Sequence, residues 1–223
     1  MVILDEDTSK HIVQVLRMKN GELLQLTDGK GNLFTCEITE DNRKRCAVTI
    51  VTTINNQPPT HNISIAISLL KNNNRFEWFL EKVTEIGATT IIPLVCERTE
   101  KNAFKSERLK SILVSALLQS QQTRLPVLHE PVKFADFVSK PFDNYVKLIA
   151  HCENEDNKQP ITNKLINPLT NKLILIGPEG DFATNEIQLA LEHHFIPVSL
   201  GNTRLRTETA GVVAAALLCN CIN

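Results

Sequence analysis

Apolar and polar residues along this chain change period near residue 60. Before it, short alternating runs predominate: Glu22–Thr27 sets Leu24 and Leu26 against Gln25, Leu33–Thr39 follows, and Cys46–Thr53 is β-branched. The turn Asp28-Gly29-Lys30-Gly31 between the first two is a strong hairpin signal. A helix is expected over Ser9–Met18, with Ile12, Val13, Val15 and Leu16 apolar and Gly21 as its stop. Asn55-Asn56-Gln57-Pro58-Pro59 reads as a linker.

From Ile63 onward strands alternate with helices. Ile63–Leu70, Thr90–Val95, Tyr145–Ala150, Leu173–Ile176 and Pro197–Leu200 are the expected strands. Asn74–Ile86 carries Phe76, Phe79, Leu80, Val83 and Ile86 at helical spacing. Arg108–Gln119 places Leu109, Ile112, Leu113, Ala116 and Leu117 on one face. Strands separated by helix-length segments predict a parallel sheet covered on both faces, a doubly wound α/β fold. The expected domains are residues 1–60, a small β-rich unit, and residues 61–223.

Composition narrows the classes. At 223 residues, with 42% hydrophobic and 22% charged positions, the chain can bury a full core. A net charge of −1 gives no global drive toward nucleic acid, and the balance leans only slightly. Residues 1–124 hold 16 basic and 14 acidic side chains, residues 125–223 hold 8 and 11. Any RNA affinity must come from local patches: Lys10, Arg17 and Lys19, Lys30, and Arg43-Lys44-Arg45, each of which alone reads as a solvated charge. Cys36, Cys46, Cys96, Cys152, Cys219 and Cys221 form no CxxC pair, and no metal site is expected. No signal-peptide core or membrane-length run appears, so a reduced cytoplasmic protein is expected.

The chemistry concentrates at the C-terminal end. Leu173–Ile176 runs into Gly177-Pro178-Glu179-Gly180-Asp181-Phe182, and Pro197–Leu200 into Gly201-Asn202-Thr203-Arg204-Leu205-Arg206-Thr207-Glu208-Thr209-Ala210. Ligands in open α/β sheets bind beyond the carboxyl ends of strands, so two such loops suggest two walls of one pocket. Neither loop is GxGxxG or a phosphate-cradling GxxxxGK[ST]. The pair, IGPEGDF followed by SLGNTRLRTETA, resembles the signature of SPOUT-class RNA methyltransferases that act on N3 of a uridine in 16S ribosomal RNA. Glu81-Lys82, Thr84-Glu85-Ile86-Gly87, Ile92-Pro93 and Glu97-Arg98 extend the resemblance upstream. So do HIVQVLRMKNGE and TDGKGNLF near the start.

The resemblance implies a parallel sheet with a C-terminal trefoil knot, preceded by a PUA-like RNA-binding β-barrel. It implies a homodimer, with 16S rRNA or the small ribosomal subunit as partner and S-adenosylmethionine as cofactor. Cofactor contacts are then expected from Ile176, Gly177, Pro178, Glu179, Gly180, Leu200, Gly201, Leu205, Arg206 and Thr209. RNA contacts are expected from Arg17, Lys19, Arg75, Arg98 and Arg124. Arg206 is the candidate catalytic group, because a guanidinium can pair with a planar anionic edge; its alternative role is to hold Glu208 or the backbone. Glu208 reads as a first-turn acid of the last helix. His151 is a candidate for the pocket rim or a surface histidine. Gln122, Thr203 and Asp181 depart from the family's usual arginine, arginine and glycine. Two other classes stay open here, a non-catalytic RNA-binding assembly factor and a Rossmann-type nucleotide enzyme. The missing GxGxxG and Walker lysine oppose the latter. A methyltransferase of the same class acting on another RNA is the nearest competitor.

Overall fold

The structure, a computed structural model, describes residues 1–100, 104–153, 158–164 and 170–220. Cys221 lies outside them. The chain divides into two compact units, Met1–Pro58 and Pro59–Asn223.

In the first unit, β1 (Val2–Ile3), β2 (Leu23–Thr27), β3 (Asn32–Glu40) and β4 (Ala47–Asn55) form an antiparallel sheet in the order β1-β4-β3-β2. Register shifts at Thr35/Cys36 and Ile38/Glu40 bend β3, as bulges do. The hairpin turn is built by Asp28, which accepts from Lys30 N, Asn32 N and Asn32 Nδ2, with Gly29 and Gly31 at positive φ. The helix begins earlier than its apolar spacing suggests. Asp5 caps α1 (Glu6–Lys10) by accepting from Thr8 N and Oγ1, and these bonds hold its carboxyl below the usual range. A π-helical turn (His11–Val15) follows, capped by Leu16, so the helix ends before Gly21, and Arg17, at φ +58°, turns the chain away. Ile12 seals a small core with Cys36, Ile38, Cys46 and Val48.

The second unit is an all-parallel sheet. Its main strands are β5 (Ile63–Ser68), β6 (Thr90–Val95), β9 (Tyr145–Ala150), β11 (Asn171–Ile176) and β12 (Ile196–Ser199). Two-residue strands β7 (Val127–Leu128) and β8 (Val132–Lys133) both pair with β6, and β10 (Gln159–Pro160) pairs with β12. The order is β10-β12-β9-β11-β5-β6-β7. Successive side chains alternate faces, and both faces are apolar. Ile63, Ile65, Ile67, Ile174 and Ile176 pack under α2 (Asn73–Ile86), α3 (Ser106–Gln119) and α6 (Thr207–Asn220). Ala66, Leu173 and Leu175 face α4 (Phe134–Val138) and α5 (Thr184–Glu192). Each buried Ile, Leu or Phe contributes roughly 1.5–3 kcal/mol.

Helix ends follow local chemistry. Asn72 caps α2 through Asn74 N, and Gly87, at φ +102°, closes it. The Gln122 amide donates to Thr84 O and Glu85 O, both at 2.8 Å, tying the end of α2 to the chain after α3. That is where the expected motif arginine is replaced.

One connection organises the functional end. β12 lies beside β9, yet α6 packs against α2, β5 and β11. Residues 200–206 must therefore travel back across the carboxyl ends of β9 and β11. Gly211 permits the close docking of α6, since a Cβ there would lie 2.5 Å from Phe79 Cε2 and 2.9 Å from Ile67 Cδ1.

Candidate active site

The loop from β11 to α5 is tightly fixed. Phe182 is buried beside Phe134, with ring centroids 5.1 Å apart, and folds back over Gly177. A Cβ on Gly177 would sit 3.0 Å from both the Phe182 ring and its backbone nitrogen. Asp181, at φ +66°, closes the turn by donating its N–H to Pro178 O at 2.9 Å. Asp and Asn tolerate this left-handed conformation better than other non-glycine residues, which explains how aspartate stands here. The loop after β6 braces it from outside. Arg98 Nη1 donates to Gly180 O at 2.7 Å and Phe182 O at 3.4 Å. Buried Glu186 accepts from Glu97 N at 2.9 Å and from Ala183 N at 3.0 Å, satisfying the first turn of α5.

The loop from β12 to α6 is held by less. Ser199 Oγ donates to Gly201 O at 2.8 Å and accepts from Gly201 N at 3.3 Å. Gly201 has φ +146°, and residues 201–204 and Arg206 are exposed.

Two clefts open on either side of the returning segment. The first, about 430 Å³, lies between the Gly177–Asp181 loop, Arg75, Ala150, Cys152 and residues 204–207 with Ala210. The second, about 440 Å³, lies between His151, Cys152, Lys158, residues 198–205 and Ala210. Both sizes suit a small ligand. Arg75 spans one wall of the first, pairing with Glu179 at 3.0 Å and, through Nε, with Glu208 Oε1 at 3.7 Å. Glu208 is only 6% exposed, and its Oε2 has no hydrogen-bond partner among the described residues. The walls thus combine apolar side chains, tight-loop backbone, and charges of both signs.

Residues 56–219 match the RNA methyltransferase domain family, and residues 4–51 match the RNA methyltransferase PUA domain. The chain belongs to this RNA methyltransferase family. A "probable rRNA-methyltransferase" from Porphyromonas gingivalis shares 37% identity and superposes with a TM-score of 0.90, covering 99% of this chain and 94% of that one. The ribosomal RNA small subunit methyltransferase E of Synechocystis is 31% identical over 92% of this chain and 68% of its own. The corresponding protein of Neisseria gonorrhoeae, solved bound to S-adenosyl methionine, is 29% identical with a TM-score of 0.86, covering 96% of this chain and 89% of that one.

Within this methyltransferase domain, Ile176, Gly177, Pro178, Glu179, Leu205 and Arg206 line the first cleft. Leu200, Gly201 and Leu205 line the second. Gly180 lines neither and instead offers its carbonyl to Arg98. Thr209 is half-buried on α6, away from both walls, where Thr207 and Ala210 stand instead. His151 is buried, 8% exposed, in the second cleft rather than at the surface.

The five expected RNA-contacting cations are placed differently. Arg75 is part of the first cleft's wall, and Arg98 spends its guanidinium on backbone carbonyls. Arg124 precedes β7, which pairs with the first residues of β6, so it lies at the opposite end of the sheet from the clefts. In the first unit Arg17 is exposed, and Lys19 reaches Asp41 at 3.6 Å. Cys152, Asp181 and Arg204 line the first cleft without having been singled out for it. The strand-end rule that found the other two loops applies equally to the segment after β9.

Proposed function

We propose that this chain transfers the methyl group of S-adenosylmethionine to N3 of a uridine in 16S ribosomal RNA of the small subunit. The observation that carries the reading is the first cleft. It sits at the carboxyl ends of β9 and β11 and is closed by the returning segment, in a chain of RNA methyltransferase sequence. The cradle fits the cofactor. A Cβ at Gly177 would strike Phe182, which keeps the backbone bare there, while Ile176, Leu205 and Ala210 offer apolar surface for a purine ring. When bound, S-adenosylmethionine supplies an electrophilic methyl on a positively charged sulfur.

The chain's own residues do the rest. Uridine N3 must shed its proton as the bond forms, and charge then develops along the base's Watson–Crick edge. Arg206 stabilises that charge in this reading, which its exposure and its position in the cleft lining support. Arg75 holds Glu179 and Glu208 together, so the loop after β11 and the first turn of α6 keep one spacing. This supports a structural role for Glu208. Because N3 is blocked in a duplex, the target uridine must be unpaired or flipped.

The finer reading includes a PUA-like RNA-binding domain over residues 1–60 and a catalytic domain over 61–223. It also includes a trefoil knot formed by the segment that returns across β9 and β11, a homodimer, and a cytoplasmic setting. No described helix is long and apolar enough to cross a membrane.

The test is methyl transfer from labelled S-adenosylmethionine to small subunits lacking the modification, followed by nucleoside analysis. Label in 3-methyluridine, abolished by Gly201→Trp, is the expected result. Label in another nucleoside would move the target. No label and no cofactor binding would leave an RNA-binding protein.

A further inference from the structure

The two strand-end segments that frame the first cleft belong to neighbouring strands, β9 and β11, and one side chain joins them. Asp181 Oδ2 accepts the backbone N–H of Cys152 at 2.6 Å, and Oδ1 accepts that of Phe182 at 2.9 Å. Its own N–H is already used on Pro178 O. The turn does not call for aspartate, since glycine adopts φ +66° without steric strain. What aspartate adds is the carboxylate. A short bond from an amide to an ionised oxygen is among the stronger hydrogen bonds. Both Asp181 and Cys152 line the first cleft. Cys152 also lines the second, so the segment it anchors forms part of the boundary of both clefts. A second tie runs beside the first, from Thr184 Oγ1 to Glu153 Oε1 at 2.8 Å.

We infer that Asp181 is a positioning residue for the cofactor cleft: its carboxylate sets the spacing between the segment after β9 and the loop after β11. The inference rests on the reading of that cleft as the S-adenosylmethionine site. Asp181 sits in the wall and acts through Cys152, by fixing where the backbone of residues 150–152 stands relative to Ile176 and Gly177. A cleft set in advance binds without the cost of ordering a loop at the moment of binding.

Two variants test it in the full-length protein. Asp181→Gly keeps the turn conformation and removes the carboxylate. Asp181→Asn keeps one side-chain oxygen, which can accept from Cys152 or from Phe182 but not from both as the carboxylate does. Hydrogen exchange at the Cys152 amide, followed without cofactor, reads the bond directly. Calorimetry with S-adenosylmethionine and steady-state kinetics read its consequence. In Asp181→Gly the amide should exchange about tenfold faster, and Kd and KM for S-adenosylmethionine should rise about five- to tenfold with kcat within about twofold. Asp181→Asn should fall between wild type and Asp181→Gly in both protection and affinity. Faster exchange with unchanged cofactor affinity would reduce Asp181 to a loop staple and overturn the inference, as would unchanged exchange. Wild-type protein that binds no S-adenosylmethionine would instead fail the proposed function itself, while the exchange measurement would still decide whether the bond exists.

Discussion

The loops after β11 and β12 contribute to the same cleft, yet they are held in opposite ways. Between Gly177 and Ala183, Arg98, Glu186 and Asp181 each fix backbone groups, and Phe182 is buried beneath. Between Gly201 and Arg206, the hydrogen bonds among the described residues are those of Ser199 and the helical bond from Ala210 N to Arg206 O. Local stability follows buried contacts and satisfied backbone, so the first wall is set by folding and the second is left adjustable. A site that admits a small cofactor and then a large RNA can use both properties. The set wall is suited to what must be oriented, and the adjustable wall carries two exposed cations, Arg204 and Arg206.

That contrast can be broken at its base. Gly211→Leu drives a side chain into Phe79 and Ile67 and should destabilise the second unit by about 3 kcal/mol or more, measured by denaturant unfolding. Because α6 anchors the second loop, cofactor affinity should fall with it. The next effect is purely functional. Arg206→Ala should lower kcat about a hundredfold, with stability within about 0.5 kcal/mol because the side chain is exposed. Wild-type kcat in that variant would remove the arginine from the chemistry.

A matched pair of glycine substitutions sharpens the comparison. Gly177→Ala meets Phe182 at 3.0 Å and should cost roughly 2 kcal/mol, whereas Gly201→Ala meets open space and should cost roughly 1 kcal/mol from φ alone. Equal costs in thermal unfolding would mean that the two loops are alike after all.

Thiols report the same contrast more gently. Burial pushes the Cys96 thiol, packed behind the braced loop, up to about 12. Unfolding releases it to its usual value near 9, so the folded state holds the proton longer. Its contribution is then fully present below about pH 9 and declines by roughly 1.4 kcal/mol per pH unit above it. Unfolding followed from pH 8 to 11 should show that slope, and Cys96→Ala should reduce it. Cys152 is exposed in the cleft, so alkylation of the native protein should reach it before Cys96.

Much of this was readable from residue order. Thr90–Val95 and Tyr145–Ala150 have the same bounds in sequence and structure, because each is a mostly apolar run that gives way to polar residues. The helix beginning near Asn73 needed only its periodicity. Short elements left less trace. β7, β8 and α4 are two to five residues long, too brief for any period to register. The first helix starts at Glu6 because of one capping aspartate, and ends ahead of Arg17, which takes a left-handed conformation rare for arginine. At the site, glycines and apolar strand ends pointed to the loops that line the two clefts, but partners distant in sequence were invisible. Nothing around Arg98 announces that it will serve Gly180, or that Asp181 will reach Cys152, 29 positions away.

The edges of the parallel sheet carry a different consequence. Among the described residues, β6 is met on one side only by β7 and β8, two fragments separated by residues 129–131, and on the other side the last strand is β10, whose second residue is Pro160. A long, flat border strand would offer a row of open amides and carbonyls to any neighbouring chain. Here the border is broken on one flank and lacks a donor on the other, so it is a poor template for intermolecular pairing. The broken borders therefore protect the finished sheet from edge-to-edge pairing with a neighbouring chain.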